Sequence, residues 1–289
     1  MIWPFNRHKR KIAKIEVSGL IAGATRKRVL KALKQVEEEK YPALLLRIDS
    51  PGGTVGDSQE IYSALKRLGE KVKIVASFGN ISASGGVYIG MGAAHVMANP
   101  GTITGSVGVI LRGNNLQRLL DKVGVSFKVI KSGPYKDILS FDRDLTEPEQ
   151  DILQSLIDTS YQQFVETIAA SRNLNVDVVK SFADGRIFTG QQAVELGLVD
   201  RLGTEEDARR WTAELAGLDP EKAEAILIEE PKPLLNRFIS NESLSLDSRN
   251  PFLVALGASL GSSPLGQESL DWLSFELKHQ GQPLWLYHP

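Results

Sequence analysis

The sequence predicts an α/β fold in which a parallel sheet carries helices on its faces. Near-continuous apolar runs such as Ala43-Leu44-Leu45-Leu46-Arg47-Ile48 and Val72-Lys73-Ile74-Val75-Ala76-Ser77-Phe78 read as strands buried on both faces. Between and around them, apolar residues recur at helical spacing, as at Val29, Leu33 and Val36 and at Ile61, Leu65 and Leu68. The links are short and rich in glycine, proline and serine, as in βαβ units.

Taken in order, residues 14–22 alternate apolar and polar and read as an edge-type strand, and Thr25 is placed to cap the helix that follows. The strand over 43–49 stops at Ser50-Pro51-Gly52-Gly53-Thr54, a tight turn whose backbone is bare enough for another chain to approach. A helix from Asp57 and a strand over 71–78 follow, and a second helix opens at Ser84-Gly85-Gly86 and runs to about residue 94. Further strands are expected over 95–98, 107–111 and 127–131, with a turn-rich link at 99–106 and a helix at 116–123. Thr146-Glu147-Pro148-Glu149 has the form of a capping box with proline in the first turn, and it opens a long amphipathic helix to about residue 171. Shorter helices at 176–182, 190–196 and 204–216, a brief strand at 198–200 and the apolar triplet 226–228 complete the pattern. This divides the chain into a basic tail (1–11), a folded domain (12–228) and an extension (229–289) that its proline, serine, asparagine and glycine content marks as loosely ordered.

Composition narrows the function. With 289 residues, 42% of them hydrophobic, the chain can bury one substantial core or at most two small ones, and a net charge of −1 argues against a nucleic-acid surface. The absence of cysteine rules out disulfides, thiolate chemistry and cysteine-based zinc sites. His8, His95, His279 and His288 lack metal-ligand spacing, so no metal is expected. No secretory signal or membrane span is read, since the longest weakly polar run, 251–266, is too short and too rich in Gly, Ser and Pro. The expected location is cytoplasmic, with Trp3, Phe5 and the neighbouring basic cluster allowing peripheral contact with an anionic membrane surface.

The chemistry centres on Ser84, where an apolar strand breaks into small residues and resumes as a helix. Backbone N–H groups at such a turn are able to hold an oxyanion beside the hydroxyl; a glycine-rich turn with serine as a plain helix cap is the alternative. A serine nucleophile needs a base, and His95, at the start of a short strand, is poorly suited. A neutral lysine amine can serve instead, and Lys136 lies in a Gly-Pro-Tyr turn rather than on a charged helix face.

Five segments occur together and in order: Asp49-Ser50-Pro51-Gly52-Gly53, Ala83-Ser84-Gly85-Gly86-Val87-Tyr88-Ile89, Asn99-Pro100-Gly101-Thr102-Ile103-Thr104-Gly105-Ser106-Val107-Gly108-Val109, Lys131-Ser132-Gly133-Pro134-Tyr135-Lys136-Asp137 and Ala183-Asp184-Gly185-Arg186. With them the chain resembles the bacterial signal peptide peptidases of the SppA type, in their short, single-repeat form, over residues 12–205. The resemblance implies a Clp-protease/crotonase-like ββα superhelix with a protruding helical arm. It also implies a serine–lysine dyad of Ser84 and Lys136, with Ser106 orienting the lysine and the backbone N–H groups of Gly53 and Gly85 forming the oxyanion hole. Substrates would be extended peptides such as signal-peptide remnants, with small or apolar residues beside the scissile bond. In short members the serine and lysine come from neighbouring subunits of a homo-oligomeric ring. The rival readings are a non-catalytic membrane-associated scaffold of the same fold, a crotonase-type acyl-CoA enzyme, which would need acidic catalysts, and a Clp-like protease, which would need a placed histidine.

Overall fold

The computed structural model describes residues 10–228 and 283–286. Trp3, Phe5 and most of the 229–289 extension therefore lie outside the described residues. The elements are β1 (Ile12–Ser18), α1 (Gly23–Glu38), β2 (Ala43–Ser50), β3 (Gly52–Thr54), α2 (Val55–Gly69), β4 (Lys73–Ala83), α3 (Gly85–Gly90), β5 (His95–Ala98) and β6 (Ile103–Gly105). They continue with α4 (Gln117–Lys122), α5 (Glu147–Arg172), α6 (Val176–Phe182), β7 (Ile187–Thr189), α7 (Gly190–Glu195), β8 (Arg201–Leu202), α8 (Glu205–Leu215), β9 (Ala225–Leu227) and β10 (Leu284–Leu286).

An eight-stranded sheet has the order β7-β6-β4-β2-β1-β9, with β5 pairing β4 and β8 pairing β5. All of its pairings except β6 with β7 are parallel, which is the consequence of joining strands through crossover helices. Period-two alternation along β2 sends Leu44, Leu46 and Ile48 into the larger core and Ala43 and Leu45 into the smaller one. Residues of α1, α2, α3 and α5 fill the larger core, while Ala208, Trp211 and Ala213 of α8 close the other face. A strand buried this way needs a continuous apolar run, which is why β2 was so plain in the sequence.

Strand β4 positions the site. Its first half pairs with β5 from Val75 to Phe78, and its second half pairs with β6 from Ile81 to Ala83. At the changeover the Asp49 carboxylate accepts hydrogen bonds from the N–H groups of Asn80 (3.2 Å) and Ile81 (3.0 Å). A β-carbon on Gly79 would lie 2.6 Å from Asp49 Oδ2, so only glycine fits beneath the carboxylate.

Several expectations need correction. β1 is interior, between β2 and β9; its polar positions come from Lys14 pairing at 2.5 Å with Glu16 and with Glu205 of α8, not from an open edge. The Thr25 hydroxyl donates to the Leu20 carbonyl (2.8 Å), and Ala22 is the N-cap. α3 is a helix of 6 residues that ends near Gly90. Residues 107–111 contribute a bridge at Ile110, and the brief strand near 198–200 falls at Arg201–Leu202. Residues 127–131 form no strand: Phe127, Val129 and Ile130 are exposed, an apolar segment without a sheet to join. Conversely β3, β6 and β10 are strands in stretches expected to be turns or a loose tail, and β7 is a further strand between two of the expected helices.

The capping box of α5 is present, with Glu149 accepting from the Thr146 N–H at 2.9 Å. Only the second half of this helix is anchored by apolar burial, through Phe164, Val165, Ile168 and Ala169; Ile152 and Leu156 in the first half are exposed. With the preceding loop it makes an arm. Arg143 braces its base, reaching Asp137 at 2.8 Å and Glu149 at 2.5 Å, while Lys131 reaches Asp137 at 2.6 Å. These hydrogen bonds from Arg143 hold the Glu149 carboxyl down at about 2 and depress Asp137 further, with Lys131 contributing there.

Candidate active site

Ser84 stands between β4 and α3, with φ 52° and ψ −115°. That left-handed backbone is unusual for a residue with a β-carbon and costs about 1–3 kcal/mol, so the surroundings must impose it. They do so through hydrogen bonds on both sides: the Ser84 N–H donates to the Gly105 carbonyl (2.8 Å), and its carbonyl accepts from Tyr88 N–H (3.0 Å). The side chain is fully buried, and its Oγ has no hydrogen-bond partner. A buried hydroxyl with no partner forfeits about 1–3 kcal/mol.

Gly52 and Gly53 of β3 lie against this turn. A β-carbon on Gly52 (φ +112°) would collide with the Trp285 carbonyl oxygen and lie 2.8 Å from Gly85 nitrogen. One edge of β3 is bonded to Ile21, whose N–H donates to Gly52 oxygen (2.8 Å) and whose carbonyl accepts from Thr54 (2.9 Å). Because successive peptide groups of a strand point opposite ways, the Gly53 N–H faces the other edge. Of the residues singled out in the sequence, Ser84 and Gly85 therefore lie against Gly52, the neighbour of Gly53 in β3.

That other edge is covered by β10, antiparallel to β3 with Leu284 opposite Thr54, Trp285 opposite Gly53 and Leu286 opposite Gly52. Its far edge is bonded as well, since Leu284 and Ile110 exchange hydrogen bonds of 3.0 and 3.1 Å. Trp285 is fully buried, its ring 4.0 Å from that of Tyr88 and 4.8 Å from that of Phe164. Burial also pushes the Tyr88 hydroxyl pKa up. Trp285 Nε1 has no hydrogen-bond partner. Burying the ring contributes about 4–6 kcal/mol, and the unpaired N–H takes back about 1–3, so the side chain and the ladder hold β10 together. Sequence reasoning missed Trp285, Tyr88 and Phe164. The available signal was the apolar Leu-Trp-Leu triplet within an otherwise polar extension.

Ser106 follows Gly105 at the end of β6, largely buried, with φ 51° and its N–H donating to Arg186 oxygen at 2.8 Å. Lys136 is elsewhere: it is exposed on the arm, and since Ser84 Oγ has no partner, no hydrogen bond joins the two within one chain. His95 is no substitute. It pairs with Val75, about nine residues or roughly 30 Å down β4 from Ser84, and stacks on Trp211. Among the described residues there is no cluster of His, Cys, Asp and Glu able to hold a metal, and no helix long and apolar enough to cross a membrane.

Residues 66–219 match the model of peptidase family S49, a stretch that includes Ser84, Gly85, Ser106 and Lys136 and begins after Gly53. A Synechocystis sp. protein with a provisional protease name, slr0021, is 69% identical over 99% of this chain and 100% of its own length. The chloroplastic serine protease SPPA of Arabidopsis thaliana is 35% identical over 58% of this chain and 25% of its own length. Protease 4 of Salmonella typhi is 35% identical over 63% of this chain and 29% of its own length. A solved variant of the 1510-N membrane-bound stomatin-specific protease superposes with a TM-score of 0.54 at 14% identity, covering 77% of this chain and 99% of that one.

Proposed function

Because the chain belongs to peptidase family S49 and has the Clp-protease/crotonase-like fold of such proteases, we propose that it is a serine endopeptidase in which Ser84 is the nucleophile and Lys136 of a neighbouring subunit the general base. The observation that carries this reading is the state of Ser84: strained, buried, unpartnered, and followed by Gly85, which lies against Gly52 of β3. Strain without a bonded hydroxyl is not what a helix cap provides.

In the proposed reaction a neutral lysine amine takes the Ser84 hydroxyl proton as Oγ bonds to the peptide carbonyl carbon. The N–H groups of Gly53 and Gly85 hold the oxyanion. The carbon–nitrogen bond breaks, the lysine ammonium returns its proton to the departing amine, and water hydrolyses the acyl-enzyme. Ser106, next to the Gly105 that fixes Ser84, would orient the lysine. No cofactor takes part. The substrate class is extended peptides, signal-peptide remnants among them, bound as an added strand on β3.

A single chain leaves Ser84 without a base, and this favours a ring. Leu119, Val123, Phe127, Val129, Ile130 and Tyr135 are all exposed on the arm that carries Lys136. Contiguous exposed apolar residues mark an interaction surface, and a second copy docked there would bring Lys136 to the next Ser84.

The test is labelling with a fluorophosphonate followed by peptide mapping, together with mixing of Ser84→Ala and Lys136→Ala chains. Modification of Ser84 and recovery of peptide hydrolysis in mixed oligomers are expected. A label on another residue would sink the nucleophile assignment, and mixed oligomers that stay inactive would sink the shared site.

A further inference from the structure

Lys136 is exposed, yet the turn that carries it is fastened at both ends. The Lys131 ammonium donates to the Pro134 carbonyl at 2.9 Å and to the Asp137 carboxylate at 2.6 Å, so the first residue of the turn is tied to its apex and to its last residue. Within it the Lys136 N–H donates to the Gly133 carbonyl at 3.3 Å. Arg143 then joins this closed turn to α5. Its Nε and Nη2 reach the two Asp137 carboxylate oxygens at 3.2 and 2.8 Å, and Nη2 also reaches the Asp137 main-chain carbonyl at 3.2 Å. Its Nη1 and Nη2 reach the two oxygens of buried Glu149 at 2.8 and 2.5 Å. The backbone between these anchors is strained: Leu139 has φ 64°, a left-handed conformation that costs a bulky residue about 1–3 kcal/mol and relaxes unless something holds it. What holds it is the Asp137 carbonyl, which accepts from the Ser140 N–H at 3.0 Å as well as from Arg143.

From this geometry we infer that Lys131, Asp137 and Arg143 form a clamp of positioning residues that presets the Lys136 turn for its approach to Ser84 of the next chain. The inference rests on the functional reading above, in which the lysine acts across subunits, and adds to it the residues that aim the lysine. An exposed ion pair on its own is worth about 0–1 kcal/mol, so fold stability is a weak reason to converge two cations on one exposed turn. Aim is a stronger one. A general base must stand within about 2.6–3.2 Å of the proton it takes, and a misplacement of about 1 Å costs on the order of a hundredfold in rate. A lysine side chain is long and gives up much rotamer freedom when it is fixed, so its main chain is the part that can be set in advance. The clamp acts on rate rather than on substrate binding, because it stands on the arm while the peptide lies on β3 of the neighbour. It also acts only in the chain that donates the lysine, which separates it from a plain support of the fold.

Mixed oligomers provide the test. Ser84→Ala chains donate the lysine and Lys136→Ala chains donate the serine, so each hydrolytic site in the mixture takes its clamp from a known parent. Asp137→Asn keeps the shape of the side chain and removes its charge. Placed in the Ser84→Ala parent, it should lower kcat about tenfold to a hundredfold with KM within about twofold; placed in the Lys136→Ala parent, it should change kcat less than about twofold. Lys131→Met, which opens the turn but spares the pair of Arg143 with Glu149, should repeat this asymmetry. Arg143→Lys should show it too, because one ammonium does not serve both carboxylates as the guanidinium fork does. Sedimentation at the parental mass and a cooperative melt keep loss of assembly or folding apart from loss of aim, and Lys131→Met decides if Asp137→Asn fails either check. Equal losses in the two arrangements, or no loss in either, overturn the proposal. A mixture that is inactive before Asp137 is altered, although mixed oligomers form, refutes the shared dyad itself, and the clamp falls with it.

Discussion

The Ser84 N–H donates to the Gly105 carbonyl across 2.8 Å, fastening the turn at the end of β4 to the end of β6. Gly105 has φ +85°, and a β-carbon there would lie 2.6 Å from the Phe188 ring and 3.0 Å from Arg186 oxygen. Gly105→Ala is therefore expected to shift Ser84 and Ser106 together. It should cost about 1–3 kcal/mol in denaturant unfolding, and the labelling rate at Ser84 should drop. Full labelling in a destabilised variant would show that the turn is held by something else.

Ser84→Gly and Ser84→Ala separate strain from chemistry. Both remove the hydroxyl and should abolish hydrolysis. Glycine also relieves the left-handed backbone, worth about 1–3 kcal/mol, against about 0.5–1 kcal/mol of added chain entropy. Ser84→Gly is thus expected to unfold at higher denaturant than Ser84→Ala. The reverse order would mean that the turn is not strained.

The arm should loosen in acid. Glu149 titrates at about 2 in the folded chain against 4.5 ordinarily, and Asp137 is lowered too, both chiefly through Arg143. Depressed carboxyls stabilise the fold above their unfolded values, and that contribution fades as pH falls from about 4.5 toward 2. Hydrogen exchange over residues 131–149 should quicken across this window while the central sheet stays protected. Arg143→Gln should produce the same loosening at pH 7 by leaving buried Glu149 without its cation.

Ile130, 93% exposed, tests the apolar arm. Ile130→Asp should leave the melting midpoint within about 0.5 kcal/mol of wild type, as surface changes do. It should nonetheless lower the sedimenting mass and reduce peptide hydrolysis. Unaltered mass would remove this face from the assembly.

His95→Ala should leave hydrolysis intact. Burial lowers the His95 pKa below its usual 6.5, so its neutral form favours the fold above about pH 6.5 and that support is lost as pH falls further. The variant's signature is a change in the pH dependence of stability, and a loss of turnover at constant fold would bring histidine chemistry back.

Elements with local causes were legible in the sequence. Thr146 and Glu149 announce the start of α5 within four residues, and the apolar run of β2 requires burial on both faces. Strands with distant causes were not. β3 is three residues long, two of them glycine, and it exists because Ile21 bonds one edge and β10 the other. Nothing within Gly52-Gly53-Thr54 encodes partners so far along the chain. The expected strand at 127–131 erred in the opposite sense: Phe127, Val129 and Ile130 have strand-like patterning, yet no sheet edge reaches them. Among the candidate site residues, Ser84 and Gly85 lie against β3 through Gly52, whereas the spacing of Lys136 could not reveal that its side chain would be left exposed on the arm.

The bond from Ser84 to Gly105 also bears on timing. The left-handed turn at Ser84 has only the bond from Tyr88 N–H until β6 has been synthesised and paired with β4, and β6 in turn takes β7, at Ile187–Thr189, as its outer neighbour. Non-local strand pairings of this kind form late, after the loops between them have closed. A ribosome-bound chain that has emerged only as far as α3 thus carries Ser84 without the bond to Gly105 that helps to fix its backbone.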